Sequence, residues 1–281
     1  MKDVKSKPPA LVGVIGQPIG HSLSPAIHNY WMRRHGIKGY YIPIEIAREN
    51  LAEAIKALPK MNFRGVNITL PHKESILHSC DSVSDEAALM GAVNTLTISE
   101  SGRIHGDNTD GFGFLESLTE GRPGWQADAA PILVLGAGGA ARGIIHALIA
   151  AGAEEIHVAN RTREKADSMR SDFGVRVMGH GMDSITKLVA KMGTVINTTS
   201  LGMTGKPPVL FPYASLKENT VVLDLVYTPL ETEFIQQSRA RNCITIDGLG
   251  MLLHQAAFSF NHWFNVKPEV TQSLRHSIVG E

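Results

Sequence analysis

The residues best suited to chemistry fall in five short segments. Ser22-Leu-Ser24, Asn67-Ile-Thr-Leu-Pro-His-Lys73, Gly91-Ala-Val-Asn94 and Asn108-Thr-Asp-Gly111 bring together hydroxyls, amides, a lysine and a carboxylate. Gly136-Ala-Gly-Gly-Ala-Ala141 brings only small residues. A lysine whose amine is held and oriented by a carboxylate can donate and recover a proton, which makes Lys73 and Asp110 a candidate catalytic pair. Hydroxyls and amides around such a pair suit a small polyol or carboxylate. A glycine-rich turn that ends a strand and opens a helix suits a pyrophosphate, because the helix N-terminus offers unpaired N–H groups to an anion.

Several of these residues also have a purely structural reading. Ser24, just before Pro25, fits an N-cap with proline at the first helical position, so capping and ligand binding are both open for it. Ser22 has no comparable structural task. Alternation along Val66-Asn-Ile-Thr-Leu70 puts Asn67 and Thr69 on the face opposite the apolar residues. Pro71 is expected to start a helix, which puts Lys73 in its first turn, where the positive end of the dipole disfavours an ammonium. A solvated surface lysine is the alternative. Asp110, followed by Gly-Phe-Gly-Phe-Leu, can cap the next helix, orient Lys73, or do both. His72 is assigned no role.

The elements that must position these groups alternate between short β-rich runs and helical patterns, the rhythm of parallel sheets crossed by helices. In the first series, strands are expected over 12–16, 40–46 and 65–70 and helices over 25–35 and 50–58. A hairpin closes the series, running over 92–98 and 103–106 through the turn Ser99-Glu-Ser-Gly102. The breaker-rich stretch 120–130 reads as a connection. In the second series, strands are expected over 132–135, 155–159, 175–178, 194–197, 221–225 and 244–246. Helices are expected over 140–151 and 163–172, followed by an apolar helix over 251–264 and a polar terminal one from Pro268.

At 281 residues the chain has the length of two domains of about 150 residues each. Its 43% hydrophobic and 19% charged residues are those of an ordinary globular protein, which excludes fibrous and disordered classes. The 27 Lys and Arg balance the 27 Asp and Glu, and no basic block is interleaved with aromatics, so no nucleic-acid partner is expected. No run approaches the length of a membrane span, and the charged start Met1 to Pro9 is followed by no signal-peptide core, so no membrane partner and a cytoplasmic location are expected. Cys80 and Cys243 belong to no C-x-x-C pair and read as core thiols of a reducing compartment. The twelve histidines include no H-E-x-x-H spacing, so no metal is expected. No G-x-S-x-G elbow points to a hydrolase.

The second series carries a dinucleotide signature. Ile132-Leu-Val-Leu135 runs into Gly136-Ala-Gly-Gly-Ala-Ala141 and an alanine-rich helix, the context that the G-x-G-x-x-G/A fingerprint requires. Gly136 allows the turn, Gly138 lets the backbone approach a pyrophosphate, Gly139 and Ala140 open the helix, and Ala141 packs it on the strand. A turn that serves packing only is the plain alternative. The next strand ends in Asn160-Arg161-Thr162, where an NAD enzyme usually places an acidic residue. Arg161 can instead clasp a 2′-phosphate, with Thr162 adding a hydroxyl, which favours NADP over NAD. A solvated surface arginine is again the alternative.

Taken in order, these residues resemble the shikimate dehydrogenase family over nearly the whole chain. Matching segments are Gly13-Val-Ile-Gly16 with His21-Ser-Leu-Ser-Pro25, Gly65 through Lys73, Gly91-Ala-Val-Asn-Thr95, and Gly106-Asp-Asn-Thr-Asp-Gly111. They continue with Gly136 through Arg142, Asn160-Arg-Thr162, Asn197-Thr-Thr-Ser-Leu-Gly-Met203, Asp224-Leu-Val-Tyr-Thr-Pro229 and Gly248 through Gln255. The resemblance implies an N-terminal α/β sandwich that binds substrate (1–109, completed by helices over 248–281), a Rossmann-like NADP-binding domain (110–247), and a cleft between them. It implies Lys73 and Asp110 as the catalytic pair and Ser22, Ser24, Asn67, Thr69, Asn94, Tyr227 and Gln255 as substrate contacts. Around the cofactor it implies Thr198, Met203, Gly248 and Met251. Tyr227 and Gln255 come from the resemblance alone.

The implied reaction is the reversible NADPH-dependent reduction of 3-dehydroshikimate to shikimate, a step of chorismate and aromatic amino acid biosynthesis, by a monomer or homodimer. Two alternatives stand beside it. One is a quinate/shikimate dehydrogenase using NAD or NADP, although such enzymes usually carry an acidic residue after the Asn-Arg pair, where this chain has Thr162 and Arg163. The other is a non-catalytic dinucleotide-binding module, against which the retention of both Lys73 and Asp110 argues.

Overall fold

The computed structural model describes residues 8–280. Its elements alternate as the apolar runs predict: β1 (Ala10–Gly16), α1 (Ser24–Arg34), β2 (Gly39–Glu45), α2 (Leu51–Ala57), β3 (Phe63–Ile68), β4 (Ser82–Val83), α3 (Asp85–Met90), β5 (Thr95–Ile98) and β6 (Ile104–Asp107). Then come α4 (Asp110–Gly121), β7 (Ile132–Leu135), α5 (Gly139–Ala150), β8 (Ile156–Asn160), α6 (Arg163–Phe173), β9 (Val177–Gly181), α7 (Ile185–Val189) and β10 (Thr194–Asn197). The last are β11 (Val221–Asp224), α8 (Glu233–Arg239), β12 (Ile244–Ile246), α9 (Gly248–Phe264) and α10 (Gln272–Val279).

Two compact units result. One comprises the chain up to Thr109 together with the residues from Ala256 onward, and the other runs from Asp110 to Gln255, so the second division falls inside α9.

The first unit holds a six-stranded sheet in the order β2-β1-β3-β5-β6-β4. β1 pairs in parallel with β2 and β3, whereas β5 runs antiparallel to both β3 and β6. The hairpin therefore forms where turn chemistry predicts it, with Gly102 at φ +82. Ile15, Ile55, Val66, Ile68, Ile76 and Leu96 fill the core on one side of this sheet.

On its other side, His28 from α1 lies fully buried against a ring cluster. It stacks on Tyr41 at 4.2 Å with planes 5° apart and meets Trp31 edge-on at 5.7 Å. Neither ring nitrogen has a hydrogen-bond partner among the described residues. Burial therefore pushes the His28 pKa down to about 3 from the usual 6.5. The native state then binds fewer protons than the unfolded chain below pH 6.5. The contribution is complete above that pH and is lost as pH falls toward 3, at about 1.4 kcal/mol per pH unit. In thermal melts between pH 7 and pH 4, a His28→Phe protein is expected to lose less stability than the parent by that slope, and parallel curves would contradict the assignment.

In the second unit six strands, all parallel, run β9-β8-β7-β10-β11-β12. The chain starts in the middle at β7, works out to β9, then returns to β10 and works out the other way. That is the doubly wound order of a Rossmann fold, and it reverses between β7 and β10. β9 begins at Val177 rather than Val175. Gly174 ends α6 at φ +85 and leaves Val175 in the turn with 80% of its surface exposed, so inward packing starts only at Val177.

Cys80 and Cys243 are free thiols, and burial first, then the Asp81 charge, push the Cys80 thiol up to about 11. Among the described residues no helix is long and apolar enough to cross a membrane, and no cluster of three His, Cys, Asp or Glu could hold a metal ion.

Candidate active site

In the first unit the polar segments gather at one end of the inner strands of the sheet. Because β3 and β5 are antiparallel, as are β5 and β6, the C-terminal end of β3 meets the start of β5 and the end of β6. Asn67 pairs with Thr95, and Thr95 with Asp107. Asn94, buried at the start of β5, accepts hydrogen bonds on Oδ1 from the Thr109 N–H (3.0 Å) and hydroxyl (3.2 Å). Asn108 Nδ2 donates to the Ala92 carbonyl at 2.9 Å. The Lys73 carbonyl accepts the Val93 N–H at 2.8 Å, which ties the lysine segment to Gly91-Ala-Val-Asn94. Ser22 lies in the loop after β1, Ser24 opens α1, and Thr69 is bound to β1 through its N–H and the Ile15 carbonyl (2.9 Å).

Three local expectations give way here. Pro71 starts no α-helix: it follows a cis peptide bond in a turn, and only a short 3₁₀ segment, Ser75–Ser79, comes after it. Lys73 thus lies half-buried in a turn with no helix dipole behind it, so the dipole argument for this amine has no basis. Ser24 is the first helical residue rather than the cap, which is Leu23, and no side chain caps α1. The structural task at this entrance belongs to Ser22, whose Oγ accepts the Ser24 N–H at 3.3 Å. Asn67 does not simply face a polar side. It is buried, and its Nδ2 lies within bonding distance of the Asn94 carbonyl (3.2 Å), Thr95 Oγ1 (3.1 Å) and Ser259 Oγ (3.0 Å). His72, fully buried, has its Nε2 2.8 Å from the Ile46 carbonyl and locks this turn to the end of β2.

In the second unit Asp110 opens α4 as the acidic residue of its first turn. α4 crosses α9 at Gly113, where a Cβ would come within 2.7 Å of the Gln255 Cβ and the Met251 carbonyl, so glycine is what lets these helices touch. Gln255, buried, donates to the Leu252 carbonyl at 3.0 Å. Gly248 opens α9 against the Leu225 carbonyl, and Tyr227 lies half-buried after β11, its phenol pushed up by desolvation.

The glycine turn lies at the point where strand order reverses, the place where such sheets bind ligands. Gly136 adopts φ +104, and a Cβ there would come within 2.7 Å of Thr198 Oγ1. Thr198 in turn donates from its hydroxyl (2.7 Å) and its N–H (3.0 Å) to the Leu135 carbonyl, joining the ends of β7 and β10. Gly138 is the N-cap of α5, with Gly139 and Ala140 exposed in its first turn and Ala141 fully buried beneath. A Cβ on Gly138 or Gly139 would meet nothing within 4 Å, so packing does not require glycine at either position. Asn160 Nδ2 donates to the Thr162 carbonyl at 2.8 Å, shaping the exposed Arg161 turn. Met203 is exposed on the loop after β10. A helix N-terminus with room over two glycines, next to an exposed guanidinium at the end of β8, fits a dinucleotide carrying an additional phosphate.

Three stretches match family descriptions: residues 14–96 the "Shikimate dehydrogenase substrate binding domain", 121–204 "Shikimate / quinate 5-dehydrogenase", and 248–272 the "Shikimate 5'-dehydrogenase C-terminal domain". The NADP(+) shikimate dehydrogenase of Cereibacter sphaeroides is 51% identical over 270 residues, covering 96% of this chain and 97% of the relative. The chain belongs to the shikimate dehydrogenase family. Among solved structures, Thermus thermophilus shikimate 5-dehydrogenase in complex with NADP(H) and shikimate superposes with a TM-score of 0.86 at 36% identity, covering 96% and 99% of the two chains. Quinate dehydrogenase of Corynebacterium glutamicum in complex with NAD superposes at 0.89 and 31% identity, covering 97% and 99%. The family is one of oxidoreductases, which removes the non-catalytic module as the reading of this chain.

Sequence reasoning passed over three buried hydroxyls in the first unit, those of Tyr41, Thr95 and Ser259. The Tyr41 signal was present in Gly39-Tyr-Tyr-Ile42, where alternation separates it from the exposed Tyr40 and Ile42. Nothing local marks Ser259 as anything but one more residue of an apolar helix.

Proposed function

We propose that this protein reduces 3-dehydroshikimate to shikimate reversibly with NADPH. Its support is the gathering of Ser22, Ser24, Asn67, Thr69, Asn94 and the Lys73 turn at one end of the inner strands, in a chain half identical to NADP(+) shikimate dehydrogenases. NADPH, when bound, supplies the hydride. Gly136, Gly138, Gly139, Ala140 and Ala141 hold its pyrophosphate at the α5 N-terminus, and Asn160, Arg161 and Thr162 hold its 2′-phosphate. Thr198, Met203, Gly248 and Met251 serve the nicotinamide side.

Lys73 supplies the proton to the ketone oxygen. An ammonium aimed there stabilises negative charge that develops only as the carbonyl is reduced, so its effect is greater on the transition state than on the ground state. Asp110 orients the amine and binds a ring hydroxyl. Ser22, Ser24, Asn67, Thr69, Asn94, Tyr227 and Gln255 bind the carboxylate and hydroxyls of the ring. The residues up to Thr109, completed by the helices over 248–281, form the substrate-binding domain, and the Rossmann unit serves the cofactor and adds Asp110 and Tyr227 to the substrate contacts.

The deciding assay compares shikimate and quinate, each with NADP and with NAD. Shikimate with NADP is expected to give the highest kcat/KM of the four, and a highest value for quinate with NAD would make this a quinate dehydrogenase. Arg161→Leu is expected to raise the KM for NADPH about 10- to 100-fold, the loss of charge-assisted bonds to phosphate, while the KM for NADH changes little. Equal effects on both coenzymes would count against a 2′-phosphate contact.

A further inference from the structure

We propose that Tyr41 is a positioning residue for substrate, setting the geometry of Asn67 through one buried hydroxyl. The proposal rests on reading Asn67 as a substrate contact.

The phenol Oη of Tyr41 donates to Asn67 Oδ1 at 2.8 Å in a buried bond. It thus joins the middle of β2 to the end of β3, residues 26 positions apart in the chain. Three contacts leave this hydroxyl little freedom. The ring stacks face to face on His28, and Asn29 clamps the Tyr41 backbone from both sides, donating from Nδ2 to its carbonyl at 2.9 Å and accepting its N–H on Oδ1 at 3.0 Å. With 2% of its surface exposed, Tyr41 cannot itself reach a ligand in solvent.

The effect on its neighbours is directional. With the Tyr41 O–H pointing at Oδ1, the Asn67 amide cannot flip without setting its NH₂ against a donor and withdrawing Nδ2 from the Asn94 carbonyl, Thr95 and Ser259. Loss of the phenol oxygen leaves the Asn67 side chain with alternative orientations that the substrate must overcome on binding.

Tyr41→Phe keeps the ring stack. Tyr41→p-methylphenylalanine also fills the volume of the hydroxyl, so a folded non-donor is available even if the phenylalanine protein is unstable. Both are expected to raise the shikimate KM, and the Kd measured without coenzyme, about tenfold, the effect of one net hydrogen bond. The KM for NADP should stay within about twofold and kcat within about threefold, because neither the coenzyme nor the proton donor is touched. Tyr41→p-aminophenylalanine, which restores an N–H donor at the same place, should recover most of the lost affinity. An unchanged shikimate KM in the folded variants, a parallel loss for shikimate and NADP, or no rescue by the amine overturns the proposal. The parent protein is measured first: if it does not bind shikimate at all, the functional reading and this inference fall together. If it binds and the variants bind equally well, only the inference falls.

Discussion

Lys73→Ala is expected to lower kcat for shikimate oxidation about 10³-fold while leaving coenzyme affinity within about twofold, the separation that marks a group acting on the reacting oxygen. Two contributions are lost together, the proton donor and the positive charge beside the developing alkoxide. Lys73→Arg separates them. A guanidinium keeps the charge but does not release a proton near neutral pH, so this protein should retain much of the shikimate affinity yet remain slow. Steady-state rates with NADP, paired with fluorescence titration of NADPH, measure both quantities. An alanine protein that turns over at the parent rate would remove Lys73 from the mechanism. Because Lys73 lies in a turn held by backbone bonds, with its carbonyl bonded to the Val93 N–H, the substitution should leave the turn in place.

Gly65→Ala is expected to give the largest loss of stability for the smallest change of atoms. Gly65 lies in β3, paired across the sheet with Thr97, and the Trp263 indole at the end of α9 lies against it. Trp263 Nε1 donates to the Leu96 carbonyl at 3.0 Å in a buried bond. A Cβ on Gly65 would overlap both partners of that bond, so the indole must move away or the strand must bend. Overpacking together with a broken buried bond should cost about 3 kcal/mol or more, lowering Tm by roughly 6 to 12 °C in a chain of this size. Thermal unfolding followed by near-ultraviolet circular dichroism reads it directly, and an unchanged Tm would mean that the helix does not seat there. Gly138→Ala is the control, since its Cβ meets no atom within 4 Å. There Tm should hold while NADPH binding weakens, because the added methyl stands where the pyrophosphate approaches. Two glycines of one chain are thus expected to fail differently, one in the fold and one in the ligand.

The second unit was more legible from sequence than the first. Ile132 through Ala141 compresses strand, turn, helix start and helix packing into ten consecutive residues, and short-range sterics account for Gly136 and Ala141. Gly136 at φ +104 and the buried Ala141 behave as the motif demands. The region around Lys73 was harder. Proline after a β-rich run allows either a helix start or a turn, and the chain takes the turn because the buried His72 bonds to the Ile46 carbonyl, a partner 26 residues away that no local pattern announces. The capping alternative for Ser24 fails for a similar reason: Ser-Pro is a sound cap signal, but the bond at that entrance comes from Ser22 instead.

By itself the sequence determined the alternation of strands and helices, the dinucleotide turn, the preference for NADP, and the list of polar residues around Lys73. Each of these depends on neighbours within a few residues, where backbone sterics and side-chain periodicity act. Only the tertiary structure decided which polar groups are spent on one another. Asn67 is held by Tyr41 from β2, Thr95 from β5 and Ser259 from α9, the last 192 residues away. Such a network forms only when strand order and helix return bring distant groups together in a buried space, and no stretch of chain carries that information alone.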